Sequence, residues 1–160
     1  MQIETKFNIG DAVYMVGTFD SISFSEICPL CQGKETIMVL IEGQEEKVEM
    51  DCSCKNVFQS RSIFYNEVSK MKVEEIKIFV DWRKAAELNY NLIGEEDSVT
   101  VEEEYIFKTE REALEFCVRQ NEHIVESAEQ KGYHLKKHSQ EKINALLDRF
   151  QRVKLNNGEE

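Results

Sequence analysis

An α+β fold is predicted for this sequence, with an antiparallel β-rich body first and two helices last. Three observations predict it: apolar and polar residues alternate in stretches up to Phe107, helical spacing begins at Thr109, and two cysteine pairs bracket a hairpin-like stretch. The body is expected to span residues 1–108 with the hairpin inserted at about 25–58, and the helical region residues 109–155.

Ile9-Gly-Asp-Ala-Val-Tyr-Met-Val16 pairs a Gly-Asp turn with a β-rich run, which predicts a first strand at a barrel or sheet edge. Thr36–Glu42, a polar turn at Gly43–Glu46 and the alternating Lys47–Asp51 predict a hairpin whose open end carries both cysteine pairs. In Val73–Trp82, the residues Ile76, Ile78, Val80 and Trp82 share one face, so Trp82 is expected in the core. Leu88, Tyr90 and Leu92 continue the pattern to the turn Gly94–Asp97, and Val99, Val101, Tyr105 and Phe107 make a third alternating stretch. Short loops then close an antiparallel meander. Thr109-Glu-Arg-Glu112 has the form of a capping box. Leu114, Cys117, Val118, Ile124, Val125 and Ala128 follow at helical spacing, and Gly132 offers a stop. A second helix from about Ser139 carries Ile143, Leu146, Leu147, Phe150 and Val153 on a narrow stripe. That stripe suits packing on its own domain or pairing with a second copy, and a homodimer through the C-terminal helix is the expectation.

With 41% hydrophobic residues, seven Gly and one Pro in 160 residues, the chain belongs with globular proteins that pack a core. No apolar run exceeds five residues, as in Ile37–Ile41, which is far short of a membrane helix. The N-terminus shows no basic segment followed by an apolar one, so a cytoplasmic location is expected. In a reducing compartment five cysteines favour metal ligands or buried thiols over disulfides. A formal charge of −11 disfavours direct contact with nucleic acid or anionic lipid.

Cys28-Pro-Leu-Cys31 and Cys52-Ser-Cys54 flank the predicted hairpin in the layout of a zinc ribbon. Two thiolates on one tight turn grip an ion, and the hairpin returns a second pair to complete a closed tetrahedron, which is a structural arrangement rather than a catalytic one. One structural zinc is the expectation. Buried thiols and a redox-active Cys-x-x-Cys are the alternatives, the latter without the βαβ context it requires. Cys117, on the apolar stripe of the first helix, reads as a core residue.

The opening Ile3-x-Thr-Lys-Phe-x-Ile-Gly-Asp-x-Val-Tyr14, the cysteine pairs and Phe107-Lys-Thr-Glu-Arg-Glu-Ala113 together resemble short zinc-hairpin proteins of phages and mobile elements of Gram-positive bacteria, over about residues 3–121. The resemblance implies an SH3-like barrel bearing the zinc hairpin. It leaves activity open, because function in that group is mostly unassigned. The cysteine segments are also similar to the Cys-x-x-Cys-x-Gly-x-Gly repeats of the DnaJ chaperone zinc domain, but Cys28-Pro-Leu-Cys31-Gln-Gly33 keeps one glycine and Cys52-Ser-Cys54-Lys none.

Phosphate-loop, dinucleotide, nucleophile-elbow and zincin motifs are absent, and no enzyme is expected. His134 and His138 stand four apart without an accompanying base and read as surface histidines. Acidic clusters fall on the hairpin (Glu42, Glu45, Glu46, Glu49, Asp51) and around the last β-turn (Glu95, Glu96, Asp97, Glu102, Glu103, Glu104). Such runs are usually solvated faces. A rigid row of carboxylates also imitates nucleic-acid phosphates, so the second cluster is the expected contact for a host protein with a basic surface. The resulting expectation is a non-catalytic interaction module, such as an inhibitor of a host nucleic-acid enzyme or defence nuclease. The rival is a zinc-ribbon module that binds nucleic acid directly.

Overall fold

The computed structural model describes residues 2–26, 28–32, 34–56, 59–83 and 85–157. Two long antiparallel strands, β1 (Ala12–Glu26) and β4 (Gln59–Val80), form its central ribbon. The hairpin of β2 (Thr36–Leu40) and β3 (Lys47–Asp51) is inserted between them as a separate two-stranded sheet. Beyond β4 lie β5 (Ala86–Ile93) and β6 (Ser98–Glu102), while β7 (Ile106–Phe107) and β8 (Tyr133–Leu135) pair with β1. Every one of these pairings is antiparallel. Helices α1 (Glu110–Gln130) and α2 (Lys137–Asn156) complete the α+β arrangement that the sequence predicts.

The helices and the ribbon share one apolar cluster. Val16, Ile22 and Phe24 of β1 and Phe64 of β4 meet Ala113, Leu114 and Cys117 of α1 and Leu146 of α2. Most of the terminal stripe packs here too, with Leu146 buried in the cluster and Ile143, Phe150 and Val153 against it. A second cluster, Phe7, Val13, Met71, Val73, Tyr90, Leu92 and Ile106, fills the other part of the sheet. Thr109 caps α1 by accepting the Glu112 N–H at 3.2 Å, and Gly132 ends it with φ of 86°, a left-handed value that glycine reaches without a Cβ clash. The Ser139 hydroxyl oxygen of α2 accepts the Ser23 N–H at 2.8 Å, and the Lys142 ammonium donates to the Ser21 carbonyl at 3.0 Å, fixing α2 along β1.

Strand β4 is covered unevenly along its outer edge. β5 pairs with it only from Lys72 to Val80, so between Gln59 and Lys70 that edge has no strand neighbour among the described residues. At Tyr65 the buried Asn121 of α1 takes a strand's place, its Nδ2 donating to the Tyr65 carbonyl at 2.9 Å and its Oδ1 accepting the Tyr65 N–H at 3.0 Å.

Several expectations need correcting. Trp82 is 85% exposed, not core: β4 ends at Val80, and the side chain projects from a turn in which Asp81 Oδ1 accepts the N–H groups of Arg83 and Ala85, both at 2.9 Å. Ile78 and Val80, on the predicted inner face, are also exposed, because the β4–β5 hairpin runs past the end of the second cluster. Alternation identifies a face but not what covers it. The predicted run from Val99 to Phe107 is interrupted by a 3-10 turn at Glu103–Tyr105, which changes the phase so that Ile106 is the fully buried residue. His134 is half-buried on β8 rather than exposed, with Nε2 3.0 Å from the Ser25 hydroxyl oxygen, and it shares no helix with His138, since α2 begins at Lys137.

Candidate metal centre

The cysteine pairs sit where the ribbon hands the chain to the inserted hairpin and takes it back. Cys28 and Cys31 occupy a tight turn just beyond β1, closed by the Gln32 N–H donating to the Cys28 carbonyl at 2.7 Å. Gln32 and Glu35 both adopt left-handed φ, 49° and 64°, a conformation that costs a non-glycine residue about 1 kcal/mol or more unless its surroundings impose it. Gly33, the glycine kept from the repeat pattern, lies outside the described residues. Cys52 follows β3 and donates its N–H to the Glu35 carbonyl at 2.8 Å, which ties the second pair to the first turn. Cys54 lies in the 3-10 turn Ser53–Asn56.

All four Sγ atoms fall within 4.8 Å of one another. Cys28 and Cys52 are 3.8 Å apart and Cys31 and Cys54 3.3 Å. Metal–sulfur bonds of about 2.3 Å at tetrahedral angles put sulfurs about 3.8 Å apart, whereas a disulfide needs about 2.05 Å. Among the described residues these four cysteines form no disulfide, and the cluster has the dimensions of a tetrathiolate metal site. Cys31 and Cys52 are buried, and Cys28 and Cys54 half-buried.

Electrostatics within the cluster are unequal. The backbone N–H groups of Cys31 and Leu30 donate toward Cys28 Sγ, the latter at 3.4 Å, and bring its thiol down to about 7. Cys54 is pushed the other way by the neighbouring thiols of Cys31 and Cys52. Four sulfurs this close cannot all ionise unless a cation replaces their protons, which is what a divalent metal does. The amide donors are absent from any sequence pattern, since backbone groups have no letter. Cys117 lies apart in the helix–ribbon core, where burial raises its thiol to about 12.

The acidic residues divide into two groups. Glu95, Glu96 and Asp97 are exposed in the β5–β6 turn, in a broad cleft that Lys70 and Lys72 also line, and Glu102, Glu103 and Glu104 lie at the far end of β6. Glu103 is engaged inside the fold, because its carboxylate accepts the Tyr90 hydroxyl and the Lys6 N–H, the latter at 3.3 Å. Glu102 is crowded: a hydrogen bond with Glu104 first, then desolvation and the charges of Glu104 and Glu87, raise its carboxyl above the usual value.

A raised carboxyl holds its proton more tightly in the folded chain than in the unfolded one. Its stabilising effect is therefore present at low pH and is lost as pH rises through the raised value. Glu102→Gln is expected to raise the thermal midpoint modestly at neutral pH and to leave it unchanged near about pH 4. An equal shift at both pH values would refute the crowding.

In comparisons with known proteins, no family model matches the chain, and no curated protein or solved structure is significantly similar to it. Among the described residues no helix is long and apolar enough to cross a membrane.

Proposed function

We propose that Cys28, Cys31, Cys52 and Cys54 hold one structural zinc ion, and that the chain is a non-catalytic protein-interaction module whose working arm is the β2–β3 hairpin. The observation that carries this reading is the contrast between how firmly the arm's base is arranged and how little the arm adds to the fold. Four sulfurs converge at the base, yet no residue of β2 or β3 belongs to either core cluster, and every residue of β3 is exposed. A closed sulfur tetrahedron suits zinc, which fixes geometry without redox chemistry. A hairpin held rigid but left uncovered is shaped for contact with something else.

Its surface indicates the kind of partner. Met38 and Leu40 are 60% and 61% exposed on one face, Met50 is 48% exposed on the other, and Glu42, Glu45, Glu46 and Glu49 surround them. Apolar side chains ringed by carboxylates fit a protein surface that is basic with an apolar centre. A host nucleic-acid enzyme, whose channel is built to receive phosphates, has this character. The exposed carboxylates Glu95, Glu96, Asp97, Glu102 and Glu104 extend the same complementarity.

Capture from a Gram-positive lysate tests the proposal with three baits: the metal-loaded chain, the chelated chain, and Met38→Ser/Leu40→Ser. Native mass spectrometry of the loaded chain is expected to show one zinc. A partner is expected on the first bait and to be lost from the other two. Equal retention by all three baits would reject the hairpin as the binding arm.

A further inference from the structure

The open stretch of β4 borders a cleft of about 540 Å³ between that strand and α1. At Tyr65 the helix meets the strand edge through Asn121, but by Ser60, Arg61 and Ser62 the two have parted, and His123, Ser127 and Lys131 form the opposite wall. In an antiparallel strand, both backbone groups of a residue point to the same edge, and successive residues alternate edges. Both Tyr65 groups meet Asn121 on the outer edge, so those of Ile63 and Arg61 also point outward. Among the described residues no strand pairs with them. An open edge beside a helix is the setting in which an extended peptide adds as a strand.

Charge selects the peptide. The chain has 31 acidic residues in 160, yet among the described residues no acid lines this cleft, whereas Arg61, His123 and Lys131 do. Among the described residues none of these three is in an ion pair. His123 lies on α1 and Lys131 is its C-cap residue, eight positions on and about 12 Å along the axis, which is the length of three to four extended residues. Phe24 and Ile124 add apolar lining for the alternate side chains that face inward.

We propose that this cleft binds an extended acidic segment of a partner protein, which pairs with β4 at Arg61 and Ile63 as an added strand and places carboxylates against Arg61, His123 and Lys131. The site is separate from the hairpin arm, and its failure would leave the proposed function standing.

Three pools of N-acetylated hexapeptides test it on the full chain by amide NMR. One has Glu at the second and sixth positions, which share a strand face, and β-forming residues elsewhere, one has Lys at those positions, and one is the Glu pool methylated on every backbone amide. In the free protein the Arg61 and Ile63 amides are expected to exchange faster than those of Ser62 and Phe64. The Glu pool is expected to slow that exchange and shift residues 60–63 and 123–131. The Lys and methylated pools are expected to do neither. Lys131→Glu and Arg61→Glu should each weaken binding about tenfold, and Lys77→Glu, a charge reversal on the β5-paired part of β4, should not. No response to millimolar Glu pool overturns the proposal. So does equal binding of the methylated pool, or inorganic phosphate displacing the Glu pool, which would make the cleft a simple anion site.

Discussion

Replacing Cys31 by Ser is expected to reduce the metal content from about one ion per chain to under about a tenth, the largest effect any single substitution should have on this protein. Structural zinc contributes on the order of 10 kcal/mol or more to the element it closes. Among the described residues the hairpin's strands join neither core cluster, so a metal at its base would be its main tie to the body. The loss should be local. Amide protection in 36–51 should collapse, while that of α1 and the central ribbon persists. Cys117→Ser is the matched control, buried in the helix–ribbon core and away from the cluster, and it should keep full metal while losing about 1–3 kcal/mol of stability from an unpartnered buried hydroxyl. Native mass spectrometry and urea unfolding read the two effects separately. Metal loss in the Cys117 variant would overturn the ligand assignment.

The second large effect is expected at Leu114. This side chain is fully buried where α1 meets β1 and β4, so Leu114→Ala should cost about 2–5 kcal/mol. Trp82→Ser, which removes a much larger apolar side chain, should cost no more than about 1 kcal/mol. Trp82 is 85% exposed, and its closest described aromatic contact is the Arg83 guanidinium 4.7 Å from the ring. Urea midpoints measured by circular dichroism should separate the two variants clearly. Similar losses would mean that the β4–β5 tip is covered in solution.

The contrast between these residues shows what the sequence made legible. Local chemistry was readable: the cysteine spacing marked four atoms that do converge, Thr109 marked the helix start, and Gly132 its stop. Covering was not. Tyr90 and Trp82 lie in equally convincing alternating runs, but Tyr90 is buried against Phe7 at 5.9 Å between ring centroids, while the strand carrying Trp82's neighbours has outrun the cluster. The phase change at Glu103–Tyr105 was equally hidden, since a single 3-10 turn leaves no periodic trace. The first half of β4 carries few apolar side chains toward the core, and its pairing with β1 is a property of two segments far apart in the chain. The open edge at Arg61 and Ile63 follows from that pairing and from where β5 stops.

The joining of β1 to β4 also bears on how fast the chain reaches this fold. The ribbon cannot begin to pair until the 32 residues at 27–58 have brought its two ends together. A cation gripped early by the four thiolates would fold most of that excursion out of the search and leave only a handful of free residues on either side. Loop-closure entropy varies with the logarithm of length, so the shortening is worth about 1.5 kcal/mol, roughly a tenfold faster nucleation if pairing limits the rate. In that sense a metal held by these thiolates would act on the assembly of the ribbon as well as on the finished arm, and metal supply during synthesis would become a kinetic variable of the whole domain.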